Sequence, residues 1–289
     1  MLLSAWQFVI YPLAIAAVAS GAVVPPTDRH LALFAHVYEI EVTPANRRLL
    51  SSAIRWSRCW RIGGAVVAMV AGVVIDLIAD NDLNWGLFPI AVGCAVGGTI
   101  GEWVRPRSAP RGRRRASLRP RGMTDYVRPW VVSSVLAFLA LAGTCAAIYA
   151  AIWPVDDRTR TWPWAPRPMV MGGIVLGGLV LTALTVLVGT AVARRPEPTG
   201  EASIAAVHHA VRSAALVSLS GTALMAASGT AYFSSLRVYQ YADGAASTIG
   251  SITTWTSGLG MLVGLMLSIR SIPRFAPFWR RLPPVPQAT

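Results

Sequence analysis

The stretch RPRSAPRGRRRASLRPRGMTDYVR, residues Arg105 to Arg128, holds nine arginines and one acid, Asp125, and lies between two long apolar runs. Arginine gathers in loops that stay on the cytoplasmic side of a membrane, so residues 105–129 read as a cytoplasmic loop between two membrane hairpins. Its side of the bilayer sets the direction of every neighbouring helix.

Composition agrees with a membrane setting. Of the 289 residues 54% are hydrophobic and only 13% charged, with a mean hydropathy of +0.51, against roughly 25% charged in an ordinary soluble domain. The expected class is an all-α integral membrane protein, one transmembrane domain over 1–289. Every one of the 26 basic residues is arginine, and alanine, glycine and valine are abundant, a bias that fits a GC-rich bacterial genome rather than any chemistry. The net charge of +13 sits beside membrane segments, where anionic headgroups answer it, so no nucleic-acid partner is expected. Cys59, Cys94 and Cys145 are far apart, with neither zinc nor disulfide spacing.

Outward from the loop, seven apolar runs are long enough to span a bilayer. The first is Met1–Val24, kinked at Pro12 and ended by Pro25-Pro26. The others are Ile62–Ala79, Trp85–Val104, Trp130–Trp153, Met169–Ala193, Ser213–Phe233 and Ser251–Ile269. The cytoplasmic segment 25–60 contains a separate interfacial amphipathic helix at about 44–60, with Thr43 as its cap and Pro44 as its first residue. On a helical wheel Leu49, Ala53, Trp56 and Trp60 share one face. Arg47, Arg48, Arg55, Arg58 and Arg61 take the other, facing water and anionic lipid. The basic, proline-rich tail is 271–289. Counted by side, 22 arginines fall on one face of the membrane and 4 on the other, which puts the N-terminus outside and the C-terminus inside.

The last six spans form three hairpins of one design, each with G-x-x-x-G spacing in its returning helix: Gly93, Gly97 and Gly101; Gly173 and Gly177; Gly260 and Gly264. Such glycines let two helix backbones approach where lipid gives no hydrophobic drive for association.

Several chemistries are excluded. There is no G-x-x-x-x-G-K-[ST] for nucleotide, no lysine for a retinal Schiff base, no H-E-x-x-H for zinc and no histidine placed for a mid-membrane haem. No cofactor, metal or catalytic constellation is expected, and the chain reads as a non-enzyme. The polar candidates are Asp76, one turn inside the second span, Asp80 at i+4 from it, and Glu102 near the inner end of the third span. A carboxylate in an apolar zone is costly and marks a functional candidate, although Asp76 also has the reading of snorkelling to the outer surface. Glu102 has a simple partner in Arg105 at i+3. Arg113, Arg114 and Arg115, with Arg47, Arg48, Arg55 and Arg58, are the expected contacts to anionic headgroups.

The expected function is that of a multi-pass plasma (inner) membrane protein serving as a membrane-embedded transport component. It would be the permease-like subunit of a complex whose energy comes from another chain, a cytoplasmic partner subunit. The alternative is a non-transporting scaffold or regulator that binds partners through its arginine loops.

Overall fold

The structure, a computed structural model, describes residues 26–79, 88–105, 123–152, 168–195 and 202–269. Met1–Val24, Asp80, the arginines at 113–115 and the tail 271–289 lie outside the described residues, as does the side chain of Asp76. Seven α-helices and a single 3₁₀ turn, Met123–Asp125, make up the described residues, with no strand among them. The helices are α1 (Asp28–Val37), α2 (Pro44–Ala79), α3 (Phe88–Val104), α4 (Pro129–Ile152), α5 (Pro168–Ala193), α6 (Ala202–Tyr241) and α7 (Gly244–Ile269).

Helix ends follow local chemistry. Proline stands first in α2, α4 and α5, where its missing N–H costs nothing. At the start of α2 it is the Asn46 amide that caps. Its Oδ1 accepts from the Thr43 N–H at 2.9 Å and its Nδ2 donates to the Glu41 carbonyl at 2.9 Å, while the Thr43 hydroxyl itself makes no hydrogen bond among the described residues. After α1 the chain turns through Glu39 at φ 53°, and the Ile40 N–H reaches back to the Ala35 carbonyl at 3.0 Å, the closing bond of a Schellman turn. Gly244, at φ +61°, separates α6 from α7.

Four helices are long and apolar enough to cross a membrane: Pro129–Ile152, Met171–Ala193, Ile204–Tyr241 and Gly244–Ser268. The outward faces of α4, α5 and α7 carry large apolar side chains, among them Leu136, Leu176, Leu259 and Met266, each more than half exposed. None of these three helices contains a charged residue. Apolar surface on this scale belongs against lipid, and the chain is a multi-pass membrane protein.

The helices cluster into two compact units, where composition alone reads as one bundle. The first draws on the described residues of Met1–Pro120, Arg194–Ala215 and Ile269–Thr289. Its α2 and α3 are joined by a glycine seam. A Cβ on Gly64 would lie 2.7 Å from the Gly97 Cα, and one on Gly97 would lie 2.9 Å from the Gly64 Cα. Gly93 approaches the Gly64 carbonyl, and Gly101 lies under the Trp60 ring. Trp56 donates its indole N–H to the Gly101 carbonyl at 2.8 Å. The other core of this unit gathers Leu31 and Phe34 of α1, Leu50 and Ile54 of α2, and Val207, Ala210 and Ala214 of α6.

Two expectations for segment 44–60 change here. It is no separate helix, because α2 runs unbroken from Pro44 to Ala79. Its apolar face is rotated towards Leu50, Ala53 and Ile54, and that face is buried against α1 and α6. Arg58, at 4% exposure, and Arg61, at 2%, are buried and not turned to water. Arg48 and Arg55 are exposed, and Arg47 pairs with Asp28 on the surface.

The second unit draws on the described residues of Arg121–Ala193 and Leu216–Ser268. Its cores place Val131, Val135 and Phe138 of α4 beside Ala223, Leu224 and Ala227 of α6, and Cys145 and Tyr149 of α4 beside Met171 of α5 and Val238 of α6. The α6–α7 contact is again a glycine seam. A Cβ on Gly221 would lie 2.6 Å from the Gly264 carbonyl oxygen, one on Gly264 would lie 2.6 Å from the Met225 nitrogen, and Gly260 meets Phe138 and Ser228. On α5 a Cβ on Gly173 or Gly177 would meet no described residue within 4 Å, and it is Gly178 that meets Thr230. The run MGGIVLGG puts glycines on neighbouring faces, and the spacing alone does not choose between them.

Candidate functional site

Two polar places stand out against these apolar helices. The first is at the C-terminal end of α3. Glu102 is 3% exposed and sits one turn before Arg105, so the two share a helix face. Arg105 Nη1 donates to the two carboxylate oxygens at 3.4 and 3.3 Å. Arg195, 93 residues further on, donates to the Glu102 main-chain carbonyl and brings its Nη1 to 4.0 Å from the same carboxylate. The Arg61 guanidinium, lying along Gly98, is within electrostatic reach of Glu102 as well. One buried carboxylate is thus shared among arginines from α2 and from the residues that follow α3 and α5. His208 of α6 lies within electrostatic reach of Arg105 and Arg212.

Beside this group is a half-open cleft with about 20 Å³ of free space, room for one water-sized group. Its walls are Phe34, Ala53, Ile54, Val211, Ala214 and Ala215, and its polar end is Ser57 with Glu102 and Arg105. Sequence reasoning finds the Glu102–Arg105 pair from its spacing. It has no means of finding Arg195 or the apolar wall, because both depend on α6 and the chain before it folding back onto α2 and α3.

The second place is a belt of hydroxyls in the second unit. Within it α6 carries buried Ser218, Ser220, Thr222, Ser228, Thr230, Ser234 and Ser235. Most are satisfied by carbonyls three or four residues back on the same helix, at distances such as 2.7 Å for Ser228 to Leu224 and 3.0 Å for Ser234 to Thr230. Two bonds cross to α7: Ser218 Oγ to the Ser268 carbonyl at 2.8 Å, and Ser235 Oγ with Thr254 Oγ1 at 3.0 Å. On the flanking helices Thr182 of α5, at 4% exposure, and Ser257 of α7, at 0%, have hydroxyls with no hydrogen-bond partner among the described residues. Thr182 is one turn from Gly178, the residue that meets Thr230. Ser257 lies midway between Thr254 and Gly260, which meet Ser235 and Ser228. Both orphan hydroxyls therefore stand at the level of α6 residues between Met225 and Ser235. A run of hydroxyls inside otherwise apolar spans was not among the sequence candidates, although the SLSGT and SGTAYFSS segments display it.

Asp76 lies in the last turn of α2. Among the described residues no three of His, Cys, Asp or Glu gather as a metal site. His36 and His209 are exposed, and His208 is half-buried. The chain matches no family model, and no curated protein or solved structure is significantly similar to it.

Proposed function

We propose that the chain is a seven-span protein of the plasma membrane, N-terminus outside and C-terminus inside, and that it is the membrane-embedded, permease-like subunit of a transport complex energised by another chain. The observation that carries this reading is the pair of orphan hydroxyls, Thr182 and Ser257, within the hydroxyl belt. A buried hydroxyl left without a partner costs about 1–3 kcal/mol. Its retention at two points around one level of α6 supports a place where a polar molecule passes or rests. Orientation rests on the distribution of arginines, with the 105–129 loop inside.

The alternative of a scaffold or regulator is favoured by one observation, the gathering of charge at the Glu102 end of the first unit while α4, α5 and α7 carry none. The two readings separate when the full chain is purified from its native membrane and the chains that come with it are identified. Co-purification of a nucleotide-hydrolysing subunit is expected, and recovery with soluble regulators only would favour the scaffold. Topology is checked by Ser117→Cys, which should label only from the cytoplasmic side. Labelling from outside would reverse the assignment.

A further inference from the structure

The geometry points to a phosphate-oxyanion site at Arg105, at the polar end of the α1–α2–α6 cleft. A guanidinium has five N–H donors in a planar fork and stays charged at any physiological pH. Arg105 gives only Nη1 to Glu102, at 3.3 and 3.4 Å, long for a charge-assisted bond of about 2.7–2.9 Å. Its Nε and Nη2 make no hydrogen bond to the described residues, yet the side chain is only 17% exposed. It lines the cleft, whose free space admits one oxygen-sized group while the half-open mouth leaves room for the remainder of a larger anion outside.

Charge complementarity names the ligand class. The chain has 26 arginines and 13 acids, so even with every acid paired half the arginines must be answered by anions from outside the chain. Arg105 also opens the nine-arginine stretch, whose single acid adds little compensation. Basic pockets between membrane helices accept phosphorylated headgroups, and the planar fork suits two phosphate oxygens at once. Glu102 then has a second role beside its pairing. It occupies Nη1 until a phosphate arrives, and so competes with the ligand. This inference is independent of the transport reading and stands or falls on binding alone.

The test uses the full chain in neutral detergent, with thermal unfolding followed on adding phosphatidylglycerol, phosphatidylcholine or inorganic phosphate. Phosphatidylglycerol is expected to raise the melting temperature and phosphatidylcholine to leave it unchanged. A comparable rise with inorganic phosphate identifies a free anion as sufficient, and a rise with lipid only identifies a headgroup. Arg105→Gln should lose at least half of the rise, Arg29→Gln at an exposed position of α1 should keep all of it, and Glu102→Gln should keep or enlarge it. Should Arg105→Gln not accumulate, Arg105→Lys retains the charge without the fork and should show a smaller rise than the unmodified chain. An unchanged rise in the Arg105 variant, or its loss in Glu102→Gln, would overturn the proposal.

Discussion

Replacing Gly97 by alanine adds one methyl group in the middle of the α2–α3 seam. That methyl would sit 2.9 Å from the Gly64 Cα and closer still to the Trp60 carbonyl oxygen. Both neighbours are backbone and have no rotamer to turn away, so the helices must separate along a contact that extends from Trp60 to Ala68. Overpacking of this kind costs about 1–3 kcal/mol, and the rigid neighbours place it near the top of that range. Alanine returns about 1 kcal/mol through its better helix propensity, leaving a net loss of about 2 kcal/mol. Gly143 of α4 is the matching control, because a Cβ there meets nothing within 4 Å, and its replacement should show only the gain of about 1 kcal/mol. The same chemical change is thus expected to have opposite signs at two helical positions, with a gap of about 3 kcal/mol. At roughly 2–4 °C per kcal/mol this is a separation of about 6–12 °C in melting temperature. Thermal unfolding of the two full-length variants in one detergent reads it directly. If they melt within about 2 °C of each other, the seam does not hold the first unit together and the argument fails.

Gly177→Leu, where a Cβ meets no described residue within 4 Å, should not lower the melting temperature of the chain, and a large fall would show that this face is covered. Trp56→Phe keeps an aromatic ring but removes the 2.8 Å bond to the Gly101 carbonyl, and an equilibrium unfolding measurement should show a loss of at least about 1 kcal/mol. A double-mutant cycle of Ser235→Ala and Thr254→Val should return a coupling of about 0.6–1.7 kcal/mol for their 3.0 Å bond, and a coupling of zero would refute it.

The helical membrane character of the chain is legible in its sequence because hydropathy and length decide it. The start of α2 at Pro44 is legible for the local reason that makes it an end, whereas α7 begins at Gly244, ahead of the apolar run Ser251–Ile269. Other features depend on packing. Hydropathy marks Ser213–Phe233 as a span, but α6 runs from Ala202 to Tyr241, since backbone hydrogen bonding continues through alanine-rich and aromatic flanks that no longer read as apolar. The wheel of α2 separates an arginine face from a tryptophan face, yet Arg58 and Arg61 are buried. A wheel holds no information about a second helix that covers the polar side. Glu102 and Arg105 are paired by spacing alone, whereas Arg195 reaches the same carboxylate only through the fold.

The unbroken α6 has a consequence for the bilayer it occupies. Its 40 residues correspond to about 60 Å at 1.5 Å per residue, twice a hydrocarbon thickness of about 30 Å. Its two arginines inside the apolar range, Arg212 and Arg237, are 25 residues apart, roughly 37 Å along the axis. A guanidinium is costly in hydrocarbon, so the spacing of this pair is expected to act as a thickness gauge. A thin bilayer is matched by tilting the rod, but a bilayer much thicker than the gauge would draw one arginine into hydrocarbon. Membrane thickness is therefore a variable to which this protein should respond, with the greatest stability expected where the two boundaries and the two arginines coincide.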